Sequence, residues 1–246
     1  MRPSIQTLAG GSKHLLMAHG FLGSPSEWEF LFSTLLPHYT LHLLTLPGHI
    51  EAPIDEDRDE FFIQLDNFVQ THSPMTLLGY SMGSRILMEV ALRNLSSIDK
   101  IIVESGNPGI EDEKERAKRF ESDCQAFKNI DFQLFLERWY RGPLFSHLNE
   151  SVRNELILSK FTLHQPQQLA QAMRIFSPGQ QKNLWPDIKK LNGHFIAGEW
   201  DHKYSQIGLR LANLGWGLDV VPDVGHNTHL EAPELFKQLV FQHTCP

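Results

Sequence analysis

The chain has 246 residues, 41% of them hydrophobic and 21% charged, with a mean hydropathy of −0.27, a size and balance that suit one sizeable α/β core and leave no reason for disorder. Lys and Arg number 22 against 29 Asp and Glu, a formal net charge of −7. That excludes nucleic acid and anionic membrane as default partners and means that any anionic ligand needs a local basic pocket.

Taken in chain order, the amino-terminal "MRPSIQTLAGGSKH" lacks the apolar core of a signal peptide. No stretch reaches the roughly 18 apolar residues of a membrane span. The two cysteines, Cys124 and Cys245, are far apart and outside any CxxC or Cys/His ligand spacing; neither a disulfide framework nor a zinc site is indicated, and reduced thiols in a cytoplasm are expected.

Six short apolar runs then read as strands: "HLLMAHG" (14–20), "LHLLTLPGH" (41–49), "MTLLGYS" (75–81), "IDKIIVESG" (98–106), "GHFIAGEWD" (193–201) and "LDVVPDVGH" (218–226). Helical periods fall between several of them. "DEFFIQLDNFVQTH" sets Phe62, Leu65, Phe68 and Val69 on one face, and "RILMEVALRNL" follows the third strand directly. Alternation of this kind predicts βαβ units and a mostly parallel sheet flanked by helices. From about 111 to about 181 only helical patterns occur, beginning with "EDEKERAKRFESD". The expected organisation is a core of residues 1–110 and 182–246 with a helical cap, 111–181, inserted over the carboxyl edge of the strands, where ligands bind in such sheets.

"GYSMG" (79–83) is a G-x-S-x-G sequence with a strand before it and a helix after it. A sharp turn there crowds the backbone, so Gly79 and Gly83 can carry no side chain, and Ser81 stands at the amino end of the following helix. The plainer reading is a turn serine capping that helix. A nucleophile or base needs a histidine, and the histidine needs a carboxylate, in the chain order Ser, Asp or Glu, His. Asp201 ends one strand run and His226 follows the last, both on the same sheet edge as Ser81. His229 is the nearest rival for the base, and Glu104, at the end of its own strand, for the acid. An oxyanion site requires two backbone N–H groups; Met82, after the serine, and Phe21, in "HGFLGS" after the first strong strand, supply them. Arg85 lies one helical turn after Ser81 and can face the same pocket. Arg116 and Arg119, three apart in the first cap helix, can share a face, or pair with Glu111, Glu113 and Glu115 on a solvated helix.

In their order and approximate spacing, "HGFLGS", "LPGH", "GYSMGS", "GEWD" and "VGH" resemble the α/β-hydrolase superfamily over nearly the whole chain. "GYSMGSR", "ESGNPGI", "ERAKRFESD" and "WYRGPLF" are similar, more narrowly, to the 2-succinyl-6-hydroxy-2,4-cyclohexadiene-1-carboxylate synthase family of menaquinone biosynthesis, which eliminates pyruvate from an enolpyruvyl precursor. The resemblance implies a triad acting as a base, no metal or organic cofactor, and a small polycarboxylate as the partner, with the oligomeric state left open. It also implies substrate-binding positions at Tyr80, Arg85, Arg119 and Trp139, and at Lys160 where the family has a second cap arginine. Thr45, Ile50 and Asn107 depart from the family pattern. A serine carboxylesterase, thioesterase or carbon–carbon hydrolase working through an acyl-enzyme is the alternative enzyme reading. A binding protein on the same fold is the third, and it leaves Ser81, Asp201 and His226 without a purpose.

Overall fold

In the computed structural model, which describes residues 3–50, 52–54 and 57–245, seven strands form one sheet. They are β1 (Ser4–Leu8), β2 (Lys13–Ala18), β3 (Tyr39–Thr45), β4 (Met75–Tyr80), β5 (Ile98–Glu104), β6 (Gly193–Gly198) and β7 (Gly217–Val221), in the spatial order β1-β3-β2-β4-β5-β6-β7. All neighbours pair in parallel except β1, which runs antiparallel to β3 with Ser4 opposite Thr45. The six strands expected from the sequence are these without β1. That short edge strand is mostly exposed and carries no apolar run to announce it. Each of the other six stops short of its expected carboxyl end. His19, His49, Ser81, Asp201 and His226 therefore lie in the turns just beyond the strands.

The helices, in chain order, are α1 (Glu29–Leu35), α2 (Arg58–Thr71), α3 (Met82–Arg93), α4 (Glu113–Gln125), α5 (Phe132–Tyr140), α6 (Glu150–Leu163), α7 (Pro166–Ile175), α8 (His202–Ala212), α9 (Thr228–Glu231) and α10 (Pro233–Thr244). Alternate residues of a strand face opposite sides, and this splits the core in two. Leu16 and Ala18 of β2, Leu77 of β4 and Val103 of β5 pack with α2, α3 and Leu211 of α8. Leu15 and Met17, Leu78 and Ile102 pack with Leu31 and Leu35 of α1 and with Phe236 and Val240 of α10. Both faces of the central strands are thus buried, which is why they read as continuous apolar runs.

Helices α4 to α7 occupy the stretch between β5 and β6 in which strand alternation fails. Their starts are encoded locally: Asp112, Asp131 and Asn149 each accept a hydrogen bond from the backbone N–H three residues on, at 2.9, 2.7 and 3.0 Å, and Pro166 opens α7 where no N–H is needed. They enclose a small core of their own, with Phe132, Phe135, Leu136, Tyr140, Leu169 and Met173 closing on Leu22 from the loop after β2. Among the described residues no helix is long and apolar enough to cross a membrane.

Candidate active site

The turn between β4 and α3 explains the glycines around Ser81. A Cβ at Gly79 would lie 2.7 Å from the Ser84 nitrogen, and one at Gly83 would run into the carbonyl oxygens of Ala18 and His19. Ser81 itself has φ 49° and ψ −106°, a left-handed conformation that a serine adopts only where its surroundings impose it. Its N–H is held by the Glu104 carbonyl at 2.9 Å. So fixed, the hydroxyl Oγ stands 3.1 Å from His226 Nε2. On the other side of the ring, Nδ1 is 2.6 Å from Asp201 Oδ2. A carboxylate can only accept, so Nδ1 carries the hydrogen and Nε2 is left free to take a proton from the serine. His226 and Asp201 are almost fully buried, and the imidazole is walled by Tyr204, Tyr80 and Phe145, with ring centroids 4.7, 5.4 and 5.9 Å away. Asp201 Oδ1 also faces the Tyr204 N–H at the start of α8, so one residue both caps a helix and orients the base.

The rival residues from the sequence bond to each other. His229 Nδ1 lies 2.9 and 2.8 Å from the two Glu104 oxygens, and both side chains are inaccessible to solvent. Glu27 stands 3.9 Å from His229 Nε2. Burial alone would lower the His229 pKa, but Glu104 and Glu27 carry it up to about 9. This second pair is therefore a buried ion pair lying alongside the Ser81 site, with no hydroxyl to serve.

Neither the Phe21 N–H nor the Met82 N–H donates to a protein acceptor among the described residues. Met82 opens α3, where the first N–H groups have no partner within the helix. The Phe21 amide is oriented through its peptide carbonyl: Gly20 O accepts from His19 Nδ1 at 2.8 Å and from the Gly23 N–H at 3.0 Å. His19 Nε2 accepts from the Leu46 N–H at 3.1 Å, which puts the ring hydrogen on Nδ1. Two more histidines grip the next residue. His49 Nε2 accepts from the Leu22 N–H (3.2 Å), and His164 Nε2 donates to the Leu22 carbonyl (2.9 Å) while its Nδ1 accepts from the Ile50 N–H (3.3 Å). Each ring uses one donor and one acceptor, which requires the neutral imidazole. Burial, the largest influence on all three, pushes the His19 pKa down to about 4, that of His49 well below the ordinary value, and that of His164 down as well. The sequence reading did not identify this histidine clamp.

A cavity of about 290 Å³ opens onto Ser81 and His226. Tyr80, Arg85, Arg119 and Trp139 line it, as do Phe21 and Met82. Arg85 is buried, with Nη1 bonded to the Phe176 carbonyl (2.9 Å) and to Gln181 Oε1 (3.3 Å); burial lowers its pKa to about 10, which leaves it charged at neutral pH. Arg119 is braced by Asp123 one turn on, its Nε 2.9 and 3.0 Å from the two carboxylate oxygens. Its terminal nitrogens have no bonded acceptor among the described residues. Lys160 is not brought to this cavity. Its Nζ is 2.6 Å from Glu27 Oε1, an ion pair buried beneath the histidine clamp, beside a separate small void. Arg116 does not line the cavity either. Lys203 does; the sequence reading does not include it, although its place two residues after Asp201, in the first turn of α8, is signal enough.

A model of the alpha/beta hydrolase family matches residues 15–239. The 2-succinyl-6-hydroxy-2,4-cyclohexadiene-1-carboxylate synthase of Enterobacter sp. (strain 638) is 31% identical over 239 residues, which cover 93% of this chain and 91% of that protein. The enzyme of the same name from Serratia proteamaculans (strain 568) is 30% identical over 232 residues, 90% of this chain and 89% of that one. Among solved structures, MenH from S. aureus superposes with a TM-score of 0.88 at 26% identity, covering 97% of this chain and 96% of its own.

Proposed function

The chain belongs to the alpha/beta hydrolase family, and from that premise we propose that it is a carbon–oxygen lyase of menaquinone biosynthesis. It eliminates pyruvate from 2-succinyl-5-enolpyruvyl-6-hydroxy-3-cyclohexene-1-carboxylate to give 2-succinyl-6-hydroxy-2,4-cyclohexadiene-1-carboxylate. The observation that carries this reading is the meeting, in one cavity, of the Ser81–His226 pair with the cationic side chains Arg85, Arg119 and Lys203. In a protein of net charge −7, that local reversal of sign suits a substrate with several carboxylates. The names of the relatives support the same substrate.

In the proposed reaction His226 takes the Ser81 proton as the serine oxygen removes a ring proton next to the succinyl carbonyl, and Asp201 steadies the imidazolium. The amides of Phe21 and Met82 hold the carbonyl oxygen as it becomes an enolate. The electron pair then returns to form the C2–C3 double bond as the C3–C4 pair shifts to C4–C5 and the C5–oxygen bond to the enolpyruvyl group breaks, and the departing enolate takes up the proton held by His226 to become pyruvate. No step needs a metal or an organic cofactor. The same serine–histidine geometry also serves acyl transfer, so the carboxylate sites distinguish the two readings.

The test is Arg85→Ala assayed on two substrates. Losing a charge-assisted contact in a buried site lowers kcat/KM for the enolpyruvyl substrate about 100-fold, while hydrolysis of a neutral activated ester falls by less than about tenfold. Equal losses on both substrates contradict a carboxylate-holding role.

A further inference from the structure

At the opposite edge of the sheet from Ser81, three metal-ligating side chains converge from three elements. His194 is the second residue of β6, Asp219 the third of β7, and His243 sits in the last turn of α10. Asp219 Oδ2 lies 2.7 Å from His194 Nε2 and 2.8 Å from His243 Nε2. The two imidazoles stack with centroids 3.5 Å apart. All three candidate ligand atoms fall within 4.8 Å of one another. Nothing in the proposed reaction uses these residues. Four residues of strand separate His194 from the end of β6, roughly 13 Å.

We propose that His194, Asp219 and His243 bind a divalent transition-metal ion of the zinc type. Two imidazole nitrogens and one carboxylate oxygen are a donor set that suits zinc, and three protein ligands leave a further position for water. In a tetrahedral site with bonds of about 2.0–2.1 Å, ligand atoms stand about 3.3 Å apart. The present nitrogen–oxygen separations need to widen by about half an ångström to admit the ion. Each ring offers its Nε2 lone pair to the ion when its hydrogen is carried on Nδ1. Gly217, directly across from His194 in the β6–β7 register, provides the room: a Cβ there would run into the His194 ring. The side chains keep exposures of 11%, 31% and 18% in the order His194, Asp219, His243, so the site is open to an entering ion. Lys100 lies nearby, and its ammonium is occupied by the His243 carbonyl at 2.8 Å. Bound metal would pin the end of α10 to the β6–β7 edge.

The experiment is calorimetric titration of the full, chelator-treated protein with Zn²⁺, alongside His243→Gln, Asp219→Asn and the control His72→Gln, which alters a different histidine group. Wild type and the control take up one Zn²⁺ with a Kd of about 1 µM or tighter, and the two site variants bind about 100-fold more weakly, with turnover unchanged. Because a variant can fold poorly, the wild-type protein is also treated with diethyl pyrocarbonate with and without Zn²⁺ and mapped by mass spectrometry. The expected result is protection of His194 and His243 in particular. No saturable binding by wild type, a Kd unchanged from wild type in both folded site variants, or protection confined to other histidines overturns the proposal.

Discussion

Two histidine–carboxylate pairs stand side by side at the carboxyl edge of the sheet, and their surroundings set different tasks for them. Asp201–His226 faces the Ser81 hydroxyl at 3.1 Å, whereas Glu104–His229 is sealed between α9, β5 and Glu27. Asp201→Asn should therefore lower turnover by about 10³–10⁴-fold by reversing the imidazole tautomer, with little change in folding. Glu104→Gln should leave turnover within about tenfold but cost about 3 kcal/mol of stability, because it strands a buried charged histidine. Steady-state kinetics and denaturant unfolding of the two variants separate the roles; a larger loss of turnover in Glu104→Gln would reverse the assignment. Much of this was legible at the level of single residues. Ser81 is marked by its glycines, and Arg85 by its one-turn spacing. Asp201 and His226 are marked by chain order and by their places at strand ends. The bond between Glu104 and His229, 125 positions apart, was not legible, because no local pattern records which of two acids meets which of two bases.

Helix α6 is one place where the helices between β5 and β6 are fastened to the rest of the fold. Its last turn sends Lys160 to Glu27, and His164, just beyond it, reaches the Leu22 carbonyl. Burial alone would raise the Glu27 pKa, but His229 and Lys160 hold it down at about 2, so the carboxylate is ionised throughout the neutral range. Lys160→Met should destabilise the fold by about 3 kcal/mol by leaving a buried carboxylate without its ammonium. It should also speed amide hydrogen exchange across 150–175 more than in the sheet; uniform exchange across the chain would mean that the pair fastens nothing. At this scale the alternation of strands and helices could be read from apolar runs, and the insertion from their absence. The strand β1 could not, since its stability comes from pairing with β3 and not from its own composition. Lys160 was reachable only by resemblance, and the resemblance assigned it a substrate where the fold gives it Glu27, 133 positions away.

Across the whole molecule the titrating histidines act in opposite senses. His19 and His49 are held neutral, with folded pKa values below the ordinary 6.5. The unfolded chain therefore binds protons first as the pH drops, and stability declines from about pH 6.5 downward by about 1.4 kcal/mol per pH unit for each of them. His229 is shifted the other way, to about 9; its contribution is complete below about pH 6.5 and is lost as the pH rises through 9. Denaturant unfolding at a series of pH values should trace a maximum near pH 6.5 with the steeper fall on the acid side, where His14, His42, His164 and His194, also lowered by burial, add to His19 and His49, against His229 alone on the alkaline side. A flat profile between pH 5 and 9 would contradict those charge states. The acid limb should also disable the proposed oxyanion loop, since a protonated His19 or His49 turns a hydrogen-bond acceptor towards Leu46 or Leu22 into a donor. The central claim is that Ser81 drives an elimination in a carboxylate-holding cavity. Its most direct test is the rate of pyruvate release from freshly generated 2-succinyl-5-enolpyruvyl-6-hydroxy-3-cyclohexene-1-carboxylate, measured for the wild-type protein, Ser81→Ala and a protein-free blank. The account predicts rapid release by the wild type and a rate at least about 10³-fold lower for Ser81→Ala. Wild-type release no faster than the blank, from protein that still hydrolyses a small activated ester, would contradict it.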